Sequence, residues 1–280
     1  MQPPSKGTRH SGRTSSGRLR NLDRFVAAHY RHLFIDKVVF TDIGIGDYPI
    51  TTIESAQTFQ KLCSDLICYG LDLDPDRVAT AKNLGLSDIL FERCTPSFRV
   101  TFELQSNIIR AMNVFRSYTK EEAEQGHIDL SLLLADGGLL VEGSCSKDGD
   151  RMVAHLLRKK ERSIFREGIV FSTDFTRGFA PWLFRDWLPC DLRRDTRPGS
   201  AMHLFFDVWD RCWQQCHAPG RAPRDVFQET NELLASKIDG VDPSYSHQGD
   251  LVWSPPSGVP ERTDSALSFE EYYLATVSAI

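Results

Sequence analysis

Between residues 22 and 216 the chain alternates between two spacings of apolar positions. Leu22, Phe25, Val26 and Tyr30 recur every three or four residues, which predicts an amphipathic helix over 22–32. A compact apolar run predicts a buried strand over 37–42, ending in the turn Asp42-Ile43-Gly44-Ile45-Gly46. A helix over 52–66 follows, with Thr51 or Thr52 as its cap and Glu54 at the reciprocal capping-box position. The series continues with a strand at 67–72, a helix at 76–84 opened by Pro75, and strands at 89–93, 100–104 (a short hairpin strand) and 106–112. Next come a helix over 120–134, a strand over 139–145 entered through Gly137-Gly138, a helix over 150–162 and a strand over 168–175.

Past that point the pattern weakens. Residues 181–188 read as a short helix, 190–194 as a strand, 201–216 as a long amphipathic helix and 224–237 as another helix. The segments 251–256 and 269–280 either pack as an appendage or stay loose. Strands separated by helices of about a dozen residues imply βαβ crossovers. The expected fold is therefore α/β, a doubly wound, mostly parallel sheet with helices on both faces, over residues 21–217. A disordered basic arm is expected at 1–20 and a partly ordered extension at 218–280. In such a sheet, ligands bind beyond the carboxyl ends of the strands, where strand order reverses.

Charge adds an asymmetry. Lys6, Arg9, Arg13, Arg18 and Arg20 give the first 20 residues +5 with no acid, so the net −5 leaves −10 on the remainder. That acidic body favours a small molecule or protein over a long nucleic acid as partner. The arm reads first as a solvated tail; weak contact with RNA or an acidic partner, and import into an organelle, stay open. Seven cysteines, an odd number, point to reduced thiols and a cytoplasmic location. Cys212 and Cys216, followed by His217, are i, i+4 on one expected helix without a second Cys/His pair nearby, so no metal site is expected. No apolar run approaches the roughly 20 residues of a membrane span.

The chemistry-bearing residues fall at the predicted strand ends. Gly44 and Gly46 allow the backbone to approach a ligand closely. Pro49 stands where a dinucleotide fingerprint has its third glycine, and Asp42 precedes the turn. A carboxylate there repels a diphosphate and suits an amine-bearing ligand. Asp72, ending the second strand, can accept hydrogen bonds from ribose hydroxyls. Asp74 either shares that task or caps the helix opened by Pro75. Asn113 with Arg116 and Tyr118 follows the fourth strand. Either Asn113 completes a turn and Arg116 and Tyr118 cap a helix, or Asn113 orients an acceptor while Arg116 pairs with its carboxylate or phosphate. Glu142 lies mid-strand, where burial demands a partner, Arg110 or Arg116.

Asp42-x-Gly44-x-Gly46 followed by Gly70-Leu71-Asp72 resembles the first two motifs of class I, Rossmann-like S-adenosylmethionine-dependent methyltransferases. The resemblance extends to Arg20–Phe25, Pro49–Glu54, Arg110–Tyr118 and Gly137–Gly143, which are similar to a bacterial group of such enzymes without an established substrate. It covers roughly residues 20–217. It implies S-adenosylmethionine as cofactor, with Gly44 and Gly46 under its methionine and ribose, Asp42 near its amino group, Asp72 on the ribose hydroxyls and Arg93–Thr95 near the adenine. It also implies methyl transfer to an acceptor above Asn113. The Asn/Asp-Pro-Pro-aromatic signature of many amino-group methylating enzymes is missing here. The rival readings are a cofactor-binding scaffold without catalysis, an aminopropyltransferase-like enzyme on the same fold, and an NAD-dependent dehydrogenase, which the missing third glycine disfavours.

Overall fold

A computed structural model describes residues 15–193 and 196–254. The expected α/β architecture forms around one nine-stranded sheet. Its elements run α1 (Arg20–His29), β1 (Val39–Ile43), α2 (Ile50–Gln60), β2 (Ile67–Asp72), α3 (Pro75–Lys82), β3 (Ile89–Arg93), β4 (Ser106–Met112), α4 (Lys120–Ser131) and β5 (Leu134–Cys145). They continue with β6 (Arg151–Lys160), β7 (Ser163–Thr173), α5 (Cys190–Arg193), α6 (Ala201–Cys216), α7 (Pro223–Ala235), β8 (Val241–Asp242) and β9 (Asp250–Trp253). The strand order is β3-β2-β1-β4-β5-β6-β7-β9-β8. From β3 to β5 all neighbours are parallel; from β5 to β8 all are antiparallel.

The parallel half is doubly wound. Helices α1, α2 and α3 pack on Phe40, Cys68 and Ile108 of one face. On the other face α4 packs on Ile109 and Leu140. The chain runs outward from β1 to β3 and returns to β4 on the far side of β1, so strand order reverses between β1 and β4. The crevice for a ligand belongs beyond those two strand ends.

The sequence pattern misleads most between 150 and 162, where a strand stands in place of the expected helix. Met152, Val153, Leu156 and Leu157 fit a helical period, but β6 is buried on both faces and therefore shows no alternation. A continuous apolar run of this kind serves a buried strand and a buried helix equally well. Residues 190–194, expected as a strand, begin with the short helix α5. Residues 100–104 form a loop rather than a strand, and Val100 and Leu104 pack against the α4 face. Strand β5 starts at Leu134, inside the expected helix, and Gly137-Gly138 lie in an irregularity opposite Asn107. The sheet also passes the boundary expected at 217, since β9 pairs with β7. The segment 269–280 and the first 14 residues of the basic arm lie outside the described residues.

Candidate active site

A cleft of about 810 Å³ opens at the carboxyl ends of β2, β1, β4 and β5. The turn after β1 forms its floor. Gly44 and Gly46 sit at φ +79° and +72°, a left-handed backbone that side chains oppose. A Cβ on Gly44 would stand 3.1 Å from Val114. The Gly44 N–H donates to the Leu71 carbonyl (2.7 Å) and the Gly46 N–H to the Asp72 carboxylate (3.3 Å). Gly44, Gly46 and Asp72 therefore share one crevice.

Asp72 is buried at the end of β2 and also accepts the Asp74 N–H (2.9 Å). Burial pushes its carboxyl above the ordinary range, against the pull of these bonds and of Arg77. Asp74 lies outside the cleft lining and caps α3, accepting the Asp76 N–H at 2.9 Å. Of the two readings open for it, the geometry keeps the helix cap. Beyond β3, Cys94, Thr95, Pro96 and Phe98 border the cleft, whereas Arg93 reaches back to the Leu73 carbonyl (3.3 Å).

Asp42 departs from its expected place. Its carboxylate points below the turn to the α1–α2 face, where Arg110 grips it through Nε (2.9 Å) and a terminal nitrogen (2.8 Å), and Thr52 donates to it at 2.6 Å. The same guanidinium bonds Asp23 (2.7 Å) and Ser55. Asp42 is thus turned away from the cleft and holds β1, β4 and α2 together. The carboxylates that line the cleft are instead Asp47 and Asp72, each within 4 Å of Arg77. Glu142 likewise finds neither expected arginine: it meets His127 of α4 (3.2 Å) on the opposite face.

Asn113 adopts φ +62°, a conformation Asn tolerates better than most residues. Its Oδ1 accepts the Cys145 N–H and its Nδ2 donates to the Cys145 sulfur, both at 3.1 Å. The side chain bordering the cleft is thereby committed to clamping the ends of β4 and β5, which supports the turn-completing reading. Arg116 does face the cleft, its guanidinium 4.8 Å above the Trp187 ring. Its backbone carbonyl accepts from Arg193 (2.7 Å). Burial first, and then Arg193, lower its pKa below the ordinary arginine value. Tyr118 lines the same wall, and burial raises its phenol.

Arg18 was expected in a disordered arm. It instead donates to the carbonyls of Ser146 (2.9 Å) and Cys145 (3.1 Å) and lines the cleft. Glu54, expected to close a capping box on α2, accepts the Gly17 N–H (2.9 and 2.8 Å) and so pins this segment. The tail's composition hid it, and Thr51 three residues before Glu54 made a capping box the natural reading, whereas the helix starts at Ile50 behind Pro49. Lys147 and Trp187 complete that end of the cleft.

No protein-family model and no curated protein matches the chain. Among solved structures it is similar to an S-adenosylmethionine-dependent methyltransferase from Clostridium acetobutylicum, 13% identical over 55% of this chain and 67% of that one, with a TM-score of 0.35. It is similar to CalS10, an amino pentose methyltransferase of Micromonospora echinaspora with S-adenosylmethionine bound (20% identity, 58% and 72% covered, TM-score 0.36). A third is the plantazolicin methyltransferase BpumL in complex with S-adenosylhomocysteine (17% identity, 46% and 47% covered, TM-score 0.34). The chain thus spans about half the length of that last enzyme. At these TM-scores only the cleft's own geometry bears on what it binds.

Proposed function

We propose that the chain binds S-adenosylmethionine across the ends of β2, β1 and β4 and catalyses methyl transfer to an acceptor at the β4–β5 end. One observation carries the choice of a nucleoside without phosphates. The N–H groups of Gly44 and Gly46, which a diphosphate would need, are already bonded internally, and two carboxylates line the cleft beside them. Helix α2, the nearest helix N-terminus after the turn, begins only at Ile50.

The residues present suit the cofactor. Asp72 would accept the ribose hydroxyls, Gly44 and Gly46 offer a floor free of side chains, and Cys94–Pro96 with Phe98 would flank the adenine. Arg18 would pair with the methionine carboxylate. When bound, S-adenosylmethionine supplies a methyl group already activated by its sulfonium charge. The protein then mainly has to align an acceptor. Asn113 fixes the ends of β4 and β5 over which that acceptor would lie, and Arg116 stands ready to contact it. The cationic end, with Arg18, Arg116 and Lys147, repels a polyamine and disfavours aminopropyl transfer.

Calorimetric titration with S-adenosylmethionine, S-adenosylhomocysteine and NAD tests this reading. Both adenosyl ligands bind the wild type, and Asp72→Ala weakens them by about 1.5–3 kcal/mol, the worth of hydrogen bonds to a charged group. Binding of NAD alone overturns it. Transfer of tritium from labelled cofactor into a fractionated extract then separates an enzyme from a silent scaffold.

A further inference from the structure

The cleft is electrically polarised along the sheet. Its lining carboxylates, Asp47 and Asp72, belong to the β1 and β2 ends, where Arg77 partners Asp47 at 3.0 Å. At the β4 and β5 ends the lining side chains with charge are Arg18, Arg116 and Lys147. Arg18 is saturated in part by the carbonyls of Cys145 and Ser146 at the end of β5. Arg116 is different. Among the described residues no carboxylate lies within ion-pair distance of it, and Asp186 attracts it only from farther away. Its guanidinium lies over Trp187, an arrangement that holds the plane and leaves the N–H edge for a planar, two-pronged acceptor. Exposed Lys147 has no ion-pair partner among the described residues and borders the same space.

We propose that the methyl acceptor is a small molecule bearing an oxyanion, carboxylate or phosphate, held by Arg116 with Lys147 beside the Trp187 ring. The proposal rests on the methyltransferase reading above and names the substrate class of that site. An anion there offsets the crowding that Arg193 and Arg18 impose on Arg116 and fills the one end of the cleft where cations lack counter-charges. Neutral and cationic acceptors leave that crowding unrelieved.

The test uses four probes that share a phenyl ring: benzoate, phenyl phosphate, benzamide and benzylammonium. Each is titrated into the full chain saturated with S-adenosylhomocysteine, so that the cofactor's own carboxylate has already taken its partner. Benzoate or phenyl phosphate is expected to bind at least 10-fold more tightly than benzamide, and the stronger of the two identifies the oxyanion. Arg116→Gln is expected to abolish that preference, and Lys147→Gln, a change at an exposed position, to reduce it about 3-fold. Both variants retain the wild-type affinity for S-adenosylhomocysteine. If benzamide or benzylammonium binds as well as the anions, if no probe binds, or if both variants keep the preference, the proposal falls. If S-adenosylhomocysteine itself does not bind the wild type, it is the methyltransferase reading that has failed.

Discussion

The two halves of the sheet spend their buried side chains differently. In the parallel half the strand ends and helices surround ions: Arg110 with Asp23 and Asp42 below the cleft, and Asp72 within it. In the antiparallel half, β6, β7 and β9 carry α6 and α7 on a bed of rings, with one buried ionic group beside it, where Asp191 of α5 meets His155 and Arg166. There Phe205 stacks on Trp253 at 4.1 Å, Phe171 on Phe205 at 5.4 Å and Phe184 on Trp209 at 5.5 Å. Ring packing is rigid and indifferent to pH, whereas buried ions are costly to desolvate and are tolerated where they fix geometry. The contrast suggests that one half serves as a scaffold and the other holds the chemistry.

The scaffold half should show the largest loss of stability with the least loss of binding. Trp209 is fully buried, and its indole N–H donates to Asn231 at 3.0 Å. Trp209→Ala should cost about 3–5 kcal/mol. Urea unfolding gives that figure, while calorimetry at low temperature should find S-adenosylhomocysteine affinity unchanged. Equal collapse of binding would mean that the halves are not separable.

Legibility divides along the same line. In the parallel half, β1 through β4, the glycine turn, Asp72 and Arg116 were readable, because strand ends in βαβ units carry punctuation: glycine, a terminal acid, a proline after the cap. In the antiparallel half, β6 read as a helix because a strand buried on both faces loses its period. Position alone could not reveal side-chain direction. Asp42 sits where the motif puts it, yet strand alternation turns it down to Arg110 rather than up to a ligand. Glu142 and Arg110 are both buried and ionisable, but they occupy opposite faces and could never have met. Arg18 was masked by its neighbours' composition; only the three-dimensional pinning of Gly17 by Glu54 brings it to the cleft.

The next largest effect belongs to the ionic half. Arg110→Met leaves Asp23 and Asp42 facing each other without a counter-charge and should cost about 3 kcal/mol at pH 7. The cost should shrink in acid. One guanidinium serves two carboxylates, and burial, partly countered by Arg110, raises the Asp23 carboxyl from 3.8 to about 6. As pH falls through about 6 the folded state takes up that proton before the unfolded chain does, so this group adds stability between pH 6 and 4. Raising the pH through the same window removes it. In the antiparallel half, Asp191 acts in the opposite sense: buried beside His155 and Arg166, its carboxyl is held far below the ordinary range, so its contribution is lost only in stronger acid. The stability difference between wild type and Asp23→Asn, followed by urea melts from pH 4 to 7, should change over the Asp23 window. A flat difference would show that Arg110 keeps both carboxylates ionised.

The smallest effect gives the cleanest comparison, because it applies one backbone change to both halves. Gly44 in the cleft and Gly178 beyond β7 have nearly equal φ, +79° and +72°. A Cβ at Gly178 meets nothing within 4 Å, while one at Gly44 stands 3.1 Å from Val114, on the floor where the ligand would lie. Alanine at either site should lose about 1–2 kcal/mol of stability, the cost of a left-handed residue with a side chain. Only Gly44→Ala should also weaken S-adenosylhomocysteine, by roughly 10-fold or about 1.4 kcal/mol, because the added methyl lifts the ligand from the turn. Equal loss of affinity in both variants would show that binding follows overall stability and would remove the distinction between scaffold and site.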